Sequence, residues 1–102
     1  MIFGFVEDGT VEVYDDVASA KGQWTAPDVD SEVVVFFTED GVWLEPRRTK
    51  GQFELEPNPH PPPGIDTFEI AMGDAVSLKA NRHFHSLHDI RRHVRARQDA
   101  GK

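Results

Sequence analysis

Apolar and polar residues alternate along much of this chain with a period of two, and switch to a helical period in two places. Two stretches share a local pattern, Phe5-Val6-Glu7-Asp8-Gly9 and Phe37-Thr38-Glu39-Asp40-Gly41. Each is flanked by strand formers: Ile2–Val6 and Val11–Tyr14 around the first, Val33–Thr38 and Val42–Glu45 around the second. Glycine takes a positive φ without a Cβ clash, so each Asp-Gly predicts the turn of a β-hairpin. The likeness between the two stops at the turn, which marks shared turn chemistry rather than a duplicated unit. Val33-Val34-Val35-Phe36-Phe37 is apolar on both alternating faces and predicts a central strand covered on both sides. Gln52–Glu56 and Thr67–Met72 alternate more cleanly, with Phe53/Leu55 and Phe68/Ile70/Met72 inward, and predict half-exposed strands.

The helical period is carried by Val17, Ala20 and Trp24 behind a capping aspartate, which predicts a short helix near residues 16–24, weakened by Gly22. It returns with Leu87, Ile90 and Val94 behind Ser86, whose S-x-x-D arrangement with Asp89 predicts a C-terminal helix over 87–98. Residues 74–84 fit either period, and a helix opening at Asp74 is the reading taken. Five of the seven prolines fall in Pro57–Pro63, which cannot supply ladder N–H groups and predicts a stiff connector between two strands. A proline-recognition ligand is the alternative for that segment. These elements make a single α+β domain over residues 1–102. An antiparallel sheet of five to six strands is built from hairpins, with a short helix in the N-terminal third and a C-terminal helix packed on the sheet.

At 102 residues, 38% of them apolar and with seven Phe and two Trp, the chain has material for one packed core. It contains no cysteine, which removes disulfides, thiolate metal sites and a cysteine nucleophile. The apolar run at residues 1–6 lacks a basic flank and stops at Glu7, short of a secretory h-region. Nothing approaches the roughly 20 apolar residues of a membrane span. A cytoplasmic protein of bacterial type, with no membrane partner, is expected.

Charge changes the picture most. Residues 1–78 carry sixteen Asp/Glu against four Lys/Arg, net −12, whereas residues 79–102 carry two against seven, net +5. An acidic β-rich body is thus joined to a basic helical segment, and clustered charge of this kind governs encounter and partner choice more than fold.

Several clusters invite chemistry. His83, His85 and His88 crowd together with His93 nearby, and neutral imidazoles bind zinc, nickel or copper. Their spacing is poor for a shared metal, because His88 and His93 diverge by about 140° on a helix. No metal or other cofactor is expected. Asp28, Asp30 and Glu32 open like a calcium loop but lack its glycine and terminal glutamate. No nucleotide-binding, nucleophile-elbow or zinc-protease motif occurs. Arg91, Arg92, Arg95 and Arg97, with Lys79 and Arg82, resemble a small nucleic-acid footprint. The economical reading is instead that this basic segment docks on the acidic body of its own chain or of a second copy.

The expected function is a non-catalytic module that binds a basic protein through Asp15, Asp16, Asp28, Asp30 and Glu32. In size and charge the chain is similar to small acidic immunity proteins and antitoxins of bacteria, a similarity of composition that carries no residues over. The alternatives are a small metal-dependent or acid–base enzyme using His83, His85 and His88 or the Asp28/Asp30/Glu32 cluster, and a nucleic-acid regulator using the basic helix. A homo-oligomer formed through an exposed edge strand is a further possibility.

Overall fold

The computed structural model describes residues 1–31, 33–50 and 52–101; of Ala26, Asp30 and Thr49 it describes the backbone alone. In chain order the elements are β1 (Ile2–Val6), β2 (Thr10–Tyr14), α1 (Val17–Gln23), α2 (Ala26–Asp30), β3 (Val34–Thr38), β4 (Trp43–Thr49), β5 (Gln52–Asn58), α3 (Phe68–Asp74), β6 (Ser77–Leu78) and α4 (Leu87–Ala100). The six strands form one sheet in the order β5-β4-β3-β1-β2-β6, antiparallel except for the short β2–β6 pair. The α+β class, the hairpin-built sheet and the C-terminal helix packed on it are as the sequence predicts.

Both Asp-Gly turns form where expected, with Gly9 at φ 93° and Gly41 at φ 79°. β1 pairs with β2 on one side and with β3 on the other, Phe3 lying opposite both Val13 and Phe37. Its residues point alternately into two separate cores. Phe3 and Phe5 join Val11, Phe37, Phe68, Ile90 and Val94 on the face covered by α3 and α4. Ile2 joins Val34, Phe36, Leu44, Phe53 and Leu55 on the face covered by α1 and α2. The run Val33–Phe37 is apolar throughout because β3 has helices on both sides. Pro46 is tolerated inside β4 because that strand pairs with β3 only at Trp43 and Leu44 and continues beyond it with β5 alone.

Three expectations are corrected. Thr67–Met72 is not a strand but the start of α3, with the Thr67 hydroxyl accepting from the Ile70 N–H at 3.3 Å. Its buried residues are Phe68, Ala71 and Met72, at i, i+3 and i+4, while Ile70 is 53% exposed. Residues 74–84 hold no helix beyond the end of α3. They hold the two-residue β6, where the N–H groups of Ser77 and of the flanking Val76 and Lys79 donate to the carbonyls of Gly9 and Val11. The proline segment therefore joins a strand to a helix rather than two strands. One helix was not anticipated: α2, capped by a reciprocal Thr25/Asp28 box with Pro27 in its first turn.

Candidate functional site

Of the acidic residues singled out from the sequence, Asp15, Asp16 and Asp28 are engaged within the chain. Asp16 caps α1, accepting from the Ser19 N–H at 2.8 Å, and that bond holds its carboxyl below the usual range. Asp28 closes the α2 capping box, taking the Thr25 hydroxyl at 2.8 Å. Asp15 meets His83 Nε2 at 2.5 Å and the Arg82 guanidinium at 2.7 Å, and these two bonds, His83 first, depress its pKa. The side chain of Asp30 and the whole of Glu32 lie outside the described residues.

The histidines do not converge. His83 pairs with Asp15, and His93 pairs with Glu39 at 2.9 Å while its ring packs edge-on against Phe84. His85 and His88 are exposed. Among the described residues no group of three or more His, Asp or Glu side chains is placed to hold a metal ion. The basic segment is drawn onto the acidic body. Arg97 holds Asp40 at 2.8 Å, Arg82 holds Asp15, and Arg95 reaches Glu69 at 3.7 Å. No helix among the described residues is long and apolar enough to cross a membrane.

Carboxylates left without such partners gather elsewhere, around a cleft of about 320 Å³ at the end of the sheet where the β1–β2 turn, the start of β3 and α3 meet. Its floor is apolar, made by Phe5, Val35, Phe37, Ile65 and Ala71. Its rim is acidic: Glu7 and Asp8 from the turn, Asp66 from the segment after the prolines, and Asp74 from the last position of α3. The side chains of Glu7, Asp66 and Asp74 make no hydrogen bond or ion pair with any described residue, whereas Asp8 accepts from the Thr10 N–H at 2.9 Å. That bond lowers the Asp8 pKa.

Local structure explains how four acids from distant parts of the sequence meet. Gly9 lets the turn fold back, and its carbonyl receives Val76 and Ser77, which ties the turn to the chain leaving α3. The proline segment leaves β5 at Asn58, opposite Trp43, and spans the face of the sheet to set Ile65 and Asp66 against the β1–β3 end. It thus acts as a structural strut, with Gly64 at φ 96° making its final bend.

Sequence reasoning missed this cleft because none of its acids is adjacent to another except Glu7 and Asp8. One signal was available: Asp74 closes a helix, where a carboxylate opposes the carbonyl end and a basic residue is preferred. Compared with protein-family models, with curated proteins and with solved structures, the chain matches none.

Proposed function

We propose that this protein is a non-catalytic binding module that meets a basic protein partner, and that the acidic-rimmed cleft beside the β1–β2 turn is where the partner docks. The observation that carries the reading is the set of three carboxylates, Glu7, Asp66 and Asp74, left unpaired among the described residues around an apolar floor, while Asp8 beside them accepts from the Thr10 N–H. The fold gives them up to solvent at no structural gain. A cationic partner would relieve their mutual repulsion and be steered to them over a distance of roughly one Debye length, about 8 Å at physiological salt. The surroundings of the cleft also suit a polypeptide. Ile70 and Val76, 53% and 75% exposed, are the large apolar residues left in solvent among the described residues, and each adjoins in sequence a residue lining the cleft, Ala71 and Ala75. An immunity-type or antitoxin-type role, neutralising a basic protein, is the biological form this reading takes.

A photo-crosslinking residue in place of Ile70, with the protein expressed in its native host, tests the proposal. The expected product is a covalent adduct with a basic protein. Association of that protein should slow as salt rises, and slow again when Glu7, Asp66 and Asp74 are replaced together by their amides. A partner whose on-rate is indifferent to salt and to the three substitutions would refute it, as would crosslinking to nucleic acid.

A further inference from the structure

We infer that the cleft is a socket for one arginine side chain carried by the partner's polypeptide; the inference rests on the binding-module reading above and specifies what enters the site. At about 320 Å³ the cleft is at the lower end of small-molecule sites, and takes one long side chain rather than a nucleotide or a folded element. Its two parts are arranged for a residue that is apolar along its stem and cationic at its tip. Val35 and Ile65, half-buried, offer a surface for methylenes, backed by Phe5 and Phe37, whose rings stand edge to face with centroids 5.4 Å apart.

Above that floor the carboxylates arrive from three directions, on the β1–β2 turn, the post-proline segment and the end of α3. An ammonium is a compact, strongly hydrated point charge. A guanidinium is a planar fork with five N–H donors and weaker hydration, so it reaches acceptors on several sides at once and lies against aromatic rings. The position of Asp74 adds a separate argument. It ends a helix with no basic residue in its last turn, so its charge stands at the carbonyl end with no cationic side chain of that helix to offset it.

The flanking apolar residues decide between a free amine and a side chain on a polypeptide. Ile70 lies one turn before Asp74 on the same flank of α3, and Val76 packs against the turn at Gly9, where an added Cβ would come within 2.6 Å of its methyl. A small amine filling the cleft would leave both uncovered, whereas a chain presenting an arginine covers them with its neighbouring residues.

The test uses the full-length protein labelled with nitrogen-15 and four probes: a capped pentapeptide with arginine between two leucines, the same peptide with lysine, the same with citrulline, and agmatine. The arginine peptide is expected to give saturable amide shifts at Gly9, Gly64, Ala71 and Ala75. It should bind about tenfold or more tightly than the other three, a gap of about 1.4 kcal/mol per decade. Joint Asp66→Asn and Asp74→Asn substitution should abolish those shifts while the spectrum of the α1/α2 face is unchanged, with Glu7→Gln as a second variant should the double substitution disturb the fold. Equal binding of the citrulline or lysine peptide overturns the inference, as does agmatine binding as tightly as the arginine peptide. Failure of the arginine peptide while the crosslinked partner's on-rate still depends on salt and the rim carboxylates removes the arginine socket alone; indifference of both removes the binding module as well.

Discussion

Replacing Phe68 by alanine, beside Ile70 by alanine two residues on, tests the assignment of α3 and with it one wall of the cleft. Phe68 is 3% exposed and its ring lies 6.2 Å from Phe3, 5.7 Å from Phe5 and 5.8 Å from Phe37. Truncation removes the ring from the middle of an aromatic cluster whose other members are held by the sheet and cannot collapse into the space. Core Phe→Ala changes cost about 3–5 kcal/mol, and the loss of three ring pairs places this one in the upper part of that range. Against a total of about 5–15 kcal/mol for a domain of this length, about a quarter or more of the stability goes. Ile70 is half exposed and its truncation should cost about 0.5 kcal/mol or less. Urea unfolding followed by tryptophan fluorescence reads both. With a slope of about 1–3 kcal/mol per molar, the Phe68→Ala midpoint should fall by about 1 M or more. Comparable losses at positions 68 and 70 would mean that these residues share a face, as in a strand, and would refute the helix; a loss below about 1 kcal/mol at Phe68 would mean that α3 is not seated on the sheet.

Two further outcomes follow from contacts described above. Glu39 accepts from His93, and this bond, with the α-amino group of Met1 and Arg97, holds its carboxyl below its ordinary pKa of 4.5. Because the folded pKa is the lower one, the unfolded chain binds more protons in that window; the stabilisation is present above about pH 4.5 and is lost as pH falls through the folded value. Acid titration of thermal stability should therefore show a shallower loss for Glu39→Gln than for the wild type, and parallel curves would contradict the sign. Gly9→Ala should destabilise by about 1–3 kcal/mol, since φ 93° strains an alanine and its Cβ would sit 2.6 Å from Val76. Chemical denaturation checks it, and an unchanged midpoint would show that the turn relaxes freely.

The hairpins, β3, α1 and α4 were legible because each is fixed by local rules: an Asp-Gly turn, an unbroken apolar run, a capping side chain ahead of a helical stripe. α3 was not. Phe68, Ile70 and Met72 satisfy a period of two, while Phe68, Ala71 and Met72 satisfy the helical one, and only docking against Phe3, Phe5 and Phe37 chooses between them. Thr67 as a cap and Glu69 in the first turn were the available hints. β6 is too short to carry a pattern and exists because Gly9 and Val11 offer carbonyls to it. Of the crowded aspartates, Asp16 and Asp28 proved to be a helix cap and a capping-box member, since carboxylates close in sequence to a helix start are best placed to bond its backbone, and Asp15 an Arg82/His83 partner. The acids of the cleft come from residues 7 to 74 and are assembled only by the tertiary fold.

The place of β1 between two cores has a consequence for synthesis. Every residue of this strand is committed to a partner made later: β3 supplies its second ladder, with Ile2 opposite Thr38, and the cover for Phe3 and Phe5 arrives only with residues 68–94. At about 5–20 residues per second, a ribosome leaves Phe3 and Phe5 waiting for several seconds with an apolar face open. The α1/α2 layer is complete by residue 55, so the nascent chain closes one side first and carries the other uncovered until α4 emerges. Slow translation between residues 55 and 94 would lengthen exposure of the phenylalanine face, and aggregation of stalled chains should be greatest in that interval.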